Sequence, residues 1–184
     1  MSAKAREFWR GNRGQSGASA IEFALILPLI ILLYAGMIDL TLYISASRKV
    51  TNAANILSDV ITQQTMTITA ASIDDSFTGA KLAMRPIAAD EVGLNVRNYR
   101  KTNGKISNQW SRTSASGPDC DLADSPSLDS LMSGNNDIVI AVACTKYAPL
   151  LSKALPIFSD TEIIIVSEIK LRPRESNTID CSDC

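Results

Sequence analysis

No histidine occurs among the 184 residues, which removes Ser-His-Asp and Cys-His catalysis and every histidine-containing metal site in one step. The residues left with chemistry to offer are two acids beside an apolar run, and four cysteines. Glu22 precedes and Asp39 follows residues 23–38, a stretch of 16 positions without a charge. An ionised carboxylate at the edge of a bilayer, or inside it, is costly unless paired, so each acid is a functional candidate. Cys120, Cys144, Cys181 and Cys184 all fall well after that stretch. A Gly-rich phosphate loop and a convincing acid pair are both missing, so an enzyme would rest on scattered Ser and Asp, and none is expected.

The acids must be positioned by a helix. At 1.5 Å per residue the uncharged stretch covers about 24 Å, short of a hydrocarbon core of roughly 30 Å. A spanning helix therefore extends back through residues 18–22 or forward through 39–44, and an acid goes with it. Lys4, Arg6, Arg10 and Arg13 precede the stretch, whereas Arg48 and Lys49 follow it. By the positive-inside rule the N-terminus is cytoplasmic, and the body lies across the membrane as a single-pass protein. Three readings compete: a signal anchor, a secretory signal peptide cut near Ile44-Ser45-Ala46, and a third that rests on the leader. Asp39 inside an oversized apolar region counts against the second.

The leader joins four basic residues to Gly17, then Ala18-Ser19-Ala20-Ile21 and Glu22-Phe23. This arrangement resembles the cleavage site of type IV prepilins and pseudopilins. With its continuation, Ala24-Leu25-Ile26-Leu27-Pro28-Leu29, the segment is similar to the TadE-like minor pilins of tight-adherence (Flp) pilus systems. The likeness is close over residues 14–39, with a general similarity in a C-terminal strand ending at Arg172-Pro173-Arg174-Glu175. Asp39 is its one unusual feature for a strict membrane span.

The resemblance implies that a prepilin peptidase cuts after Gly17, leaving Ala18 as the first residue and Glu22 as the fifth. Glu22 and Phe23 then act in assembly. Implied partners are that peptidase, Flp-type major and minor pilins, the inner-membrane assembly platform and the lipid bilayer. The implied location is the bacterial inner membrane, with the C-terminal domain periplasmic or incorporated in an extracellular pilus. The charges make the same point without the name. Cleavage creates an ammonium about one helical turn from Glu22, too constrained to pair ideally with it. In a stack of helices the carboxylate meets a neighbour's amine instead, and breaking such a buried pair costs roughly 3–5 kcal/mol.

Past the membrane, Val50, Ala53, Ala54, Leu57 and Ile61 share one helical face. One helix over residues 18–64 is predicted, spanning in its first half and amphipathic in its second. A second helix is predicted over residues 73–84, started by Ser72 and Asp75. Strands follow at 91–100 and 105–112 around an Asn103-Gly104 turn, at 138–144 as a buried central strand, and at 162–172. The expected fold is α+β, with a long N-terminal membrane-spanning helix extending into a small antiparallel sheet. Residues 1–17 form a basic leader, 18–64 the stalk and 65–184 the head domain.

Two disulfides are expected in an oxidising compartment. Of three connectivities, Cys120–Cys144 with Cys181–Cys184 is favoured, the first tethering a polar loop at 111–133 to the central strand. Cys181-x-x-Cys184 could exchange disulfides, but no helix N-terminus or basic cluster is expected beside it to lower a thiol pKa. Asp119, Asp121 and Asp124 only loosely resemble a calcium loop, because the spacing is wrong and the distal Glu is missing. No metal and no cofactor are expected. With 18 basic and 19 acidic residues the chain is no polycation, and nucleic acid is not an expected partner. The expected function is assembly of a Flp-type pilus as a minor pilin or pseudopilin. The alternative is an uncleaved, single-pass anchored periplasmic binding domain.

Overall fold

The computed structural model describes residues 15–65, 67–120, 128–132, 134–154 and 162–184. Most of the basic leader, and Asp121 and Asp124, lie outside the described residues.

A single helix, α1, runs from Gln15 to Thr62 and passes unbroken through Pro28. It starts three residues before the expected boundary, so Gly17 is already helical, and it ends two residues before the expected stop. The short strand β1 (Thr67–Ile68) leads into α2 (Ala70–Ala83). Its cap is not Ser72 but Thr69, whose hydroxyl accepts from the Ser72 N–H at 3.2 Å. Thr69 has extended backbone, as an N-cap requires.

Strands β2 (Val92–Thr102), β3 (Lys105–Thr113), β4 (Asp137–Tyr147) and β5 (Ile163–Leu171) form one antiparallel sheet in the order β3-β2-β4-β5. Asn103 and Gly104 both take positive φ, the conformation a two-residue hairpin turn needs. A five-residue helix, α3 (Leu150–Ala154), follows β4. A last strand, β6 (Asp180–Cys181), pairs in parallel with β1 and was not foreseen from the sequence.

The sheet is covered on both faces, which explains why β4 reads as a continuous apolar run. Val139, Ala141 and Ala143 point into a core with Val92, Leu94 and Val96. The amphipathic half of α1 (Val50, Ala53, Leu57, Ile61) and α2 (Ile73, Phe77) close that core. Ile138, Ile140, Val142 and Cys144 point the other way and pack with Cys120, Leu128 and Met132 from the polar loop. The fold is α+β: one apolar helix, half of it packed on a four-stranded sheet.

The tail after β5 returns along the head. The Arg174 N–H donates to the Thr62 carbonyl at 3.0 Å, satisfying one of the last acceptors of α1. Ile179 is buried, and its carbonyl accepts from Trp110 Nε1 at 3.0 Å and Asn98 Nδ2 at 2.9 Å.

Candidate functional site: the exposed helix and its junction with the head

The first half of α1 stands clear of the head. Residues 19–34 are exposed throughout, and Phe23, Leu25, Leu33 and Tyr34 are each more than 60% exposed. Apolar side chains project from every side of the helix, which is the pattern of a segment surrounded by lipid or by other apolar helices. Gly17 and Ala18 lie in its opening turns. Glu22 is exposed one turn further on, beside Phe23. The structure thus places the expected processing and assembly residues in sequence along one helical end, apart from the cysteines and from the core.

Asp39 behaves differently. Sequence reading leaves it an acid at the membrane edge with its partner unknown, whereas in the fold it is buried. Its Oδ1 accepts from the Leu150 N–H at 2.7 Å, and its Oδ2 from the Leu151 N–H at 2.9 Å. Helix α3 follows Ala148-Pro149, so no nearby Ser, Thr, Asp or Asn precedes it to cap its free N–H groups. The cap comes from α1 instead. Tyr147 completes the junction: its hydroxyl donates to the Asp39 carbonyl at 2.9 Å, and its ring meets Tyr43 edge-on at 5.7 Å. Burial, followed by the nearby Asp39 charge and the hydrogen bond, pushes the Tyr147 phenol above its usual range, keeping it a neutral donor. The signal that could have found this junction is the start Ala148-Pro149-Leu150, which carries no capping side chain of its own.

Residues 17–56 match the family model of TadE-like proteins. This is a TadE-like segment. The match covers the exposed half of α1, Asp39 and the start of the packed half, and it stops before the sheet and before the residues of α3 that Asp39 binds. No curated protein and no solved structure matches the chain. TadE-like proteins belong to the tight-adherence pilus system, and the chain's helix is long and apolar enough to cross a membrane once.

Behind the TadE-like helix, the four cysteines pair as Cys120–Cys144 and Cys181–Cys184. The first bond lies against Gly93, where an added Cβ would come within 2.7 Å of Cys120 Sγ and 2.8 Å of Cys144 Sγ. It pins the polar loop to β4 and contributes roughly 3 kcal/mol by the loop-entropy argument. The second bond corrects an expectation: a helix N-terminus does lie beside it. Asp183, between the two cysteines, accepts from the Ala70 N–H at the start of α2 at 2.7 Å. The carboxylate, not a sulfur, therefore takes the helix end.

A groove of about 780 Å³ runs beside α2. Among its charged groups, Arg112 forms two bonds to Asp74, at 2.9 and 2.6 Å, and Lys81 donates to the Ser116 carbonyl and hydroxyl at 2.9 and 2.8 Å. Asp119 is exposed. The one cluster of potential metal-binding groups among the described residues is Cys181, Asp183 and Cys184, whose sulfurs are joined to each other.

Proposed function

We propose that this chain is a minor pilin or pseudopilin that acts in assembly of a Flp-type pilus. One observation carries the reading: an apolar helix left bare for residues 19–34 within a TadE-like match that opens at residue 17. A bare helix of this kind needs an apolar environment twice, first the bilayer and then a bundle of pilin helices. The leader is removed by a prepilin peptidase after Gly17. The new ammonium at Ala18 becomes the counterion for Glu22 of an adjacent subunit, and Phe23 packs beside it. The chain sits in the inner membrane with its N-terminus cytoplasmic and residues 65–184 as a periplasmic head. Its partners are the peptidase, Flp-type major and minor pilins and the assembly platform.

The mass of the protein purified from its native membrane tests this. A mature chain beginning at Ala18 supports the pilin reading; an intact leader supports the permanently anchored binding domain, and a start near Ser47 supports ordinary secretion. Gly17→Ala is expected to block processing. Glu22→Ala is expected to leave the chain cut but to impair assembly, because the buried ammonium loses its partner. Normal piliation by Glu22→Ala would refute the registration mechanism.

A further inference from the structure

We infer that the head does not stand off the membrane but rests on it through α3, with Leu150 and Leu151 as a lipid-contacting foot that Asp39 holds in place. The inference rests on the proposed reading in one respect, that α1 spans a bilayer.

Helix length fixes the depth. A hydrocarbon core of roughly 30 Å takes about 20 residues of helix. Counted from Ala18, where the basic leader or the new ammonium marks the cytoplasmic edge, the outer boundary falls at about Ile38. Asp39 lies at that boundary, and its carboxylate binds the backbone of Leu150 and Leu151 directly. The head reaches lower still. Leu151 Cδ1 lies 4.0 Å from where a Cβ on Gly36 would stand, and Gly36 is two residues, about 3 Å, inside the boundary. The side chains at this level belong to the acyl edge of the bilayer, not to bulk water.

The chemistry of the foot fits that level. Leu150 is 49% exposed, and Met37 and Leu40 are exposed on α1 at the same level along the helix. Lipid at that level would cover all three, which makes the bilayer the occupant. The Tyr43–Tyr147 pair sits just outside, where aromatic rings with a polar end favour the headgroup zone. Asp39 can lie so close to hydrocarbon because two backbone N–H groups neutralise its need for hydrogen bonds. Those N–H groups would otherwise be unpaired at the start of α3. Acid and helix end solve each other's desolvation problem, and the result fixes the tilt of the head relative to the bilayer.

The test uses the full chain in vesicles of phosphatidylethanolamine and phosphatidylglycerol, with a nitroxide on one added cysteine. The four native cysteines are disulfide-bonded, so the label enters only the new site. Leu150→Cys probes the foot and Met37→Cys the spanning helix. Lys105→Cys, beside the Asn103-Gly104 turn at the end of the sheet away from Asp39, reports on open water. All three replace side chains that are exposed, so the fold is retained. Collision with dissolved oxygen and with a water-soluble nickel chelate is then compared. The foot predicts that Leu150→Cys loses nickel access and gains oxygen access, as Met37→Cys does, while Lys105→Cys does the reverse. Nickel access at 150 equal to that at 105, with 37 shielded, overturns the foot and leaves the spanning helix standing. Shielding of 150 from both reagents indicates a protein partner there and also overturns it. Nickel access at 37 would overturn the membrane reading and the foot together.

Discussion

Asp137 and Arg100 meet through two hydrogen bonds, 2.6 Å from Nε to Oδ1 and 2.9 Å from Nη2 to Oδ2, with the carboxylate fully buried. Asn98 Nδ2 and the Ile179 N–H, each at 2.8 Å, donate to the same Oδ2. The acid therefore ties neighbouring strands β2 and β4 to the tail. Asp180 adds a second carboxylate to Arg100 at 2.7 Å, and the hydrogen bond donated to Asp137 is the main reason the guanidinium binds its proton more tightly than usual.

Replacing Asp137 by Ala should cost about 3–5 kcal/mol, because it leaves a partly buried guanidinium and two buried donors without their acceptor. Denaturant unfolding in detergent would read this as a lower midpoint at unchanged slope. A midpoint within error of wild type would mean that water replaces the carboxylate without penalty.

Gly93 stands opposite Cys144 in the β2–β4 register, and a Cβ there would also come within 2.0 Å of the Pro118 carbonyl oxygen. A backbone oxygen cannot swing aside as the end of a side chain can. Gly93→Ala should therefore destabilise the head by about 1–3 kcal/mol and slow formation of the Cys120–Cys144 bond. Thiol trapping during oxidative refolding would show it, and unchanged trapping kinetics would argue that the loop docks only after the bond has formed.

Removing the Asp39 carboxylate should act locally. Asp39→Ala deletes a cap worth about 0.5–2 kcal/mol and leaves α1, β4 and the sheet register in place. Amide exchange at Leu150 and Leu151 should rise by a factor of about 2–30, with exchange in β2 and β4 unchanged. A global rise would mean that the junction supports the entire head.

The Asp74–Arg112 pair supplies a pH signature. The hydrogen bond from Arg112 is the largest influence on Asp74; burial opposes it and the guanidinium charge reinforces it, leaving the carboxyl below its usual range. A carboxyl depressed in the folded state stabilises above its unfolded value, and that stabilisation fades as pH falls through the folded value. The effect is small, since Asp74 is half exposed and salt screens it. Titration of the Asp74 carboxyl carbon by NMR should give a midpoint below that of a free aspartate, returning towards it in Arg112→Ala. An identical midpoint in the two proteins would remove the pair from the acid limb of stability.

Elements set by near-neighbour patterning were legible in the sequence. The apolar stripe from Val50 to Ile61, the Asn103-Gly104 turn and the Ile138–Cys144 run each state their structure within a few residues. Arrangements that depend on distant chain were not. Thr69 and Ser72 are both plausible caps for α2, and the earlier one prevails because Asp183 arrives to take the Ala70 N–H. Asp39 and Leu150 are separated by 111 residues, and no periodicity links them. Asp137 reads as a loop acid before a strand, since nothing local announces that Arg100, Asn98 and Ile179 will converge on it. The place of Gly17, Glu22 and Phe23 at the start of α1 was legible because an apolar helix must announce itself in one unbroken stretch.

The route of the tail has a consequence for biosynthesis. Ile179 and Asp180 complete the hydrogen bonding of Trp110, Asn98 and Arg100, and Asp183 finishes the start of α2. The sheet therefore lacks its closing contacts until the ribosome has passed Cys184. A chain stopped before Ile179 would leave Trp110 Nε1 without that acceptor and the start of α2 without Asp183.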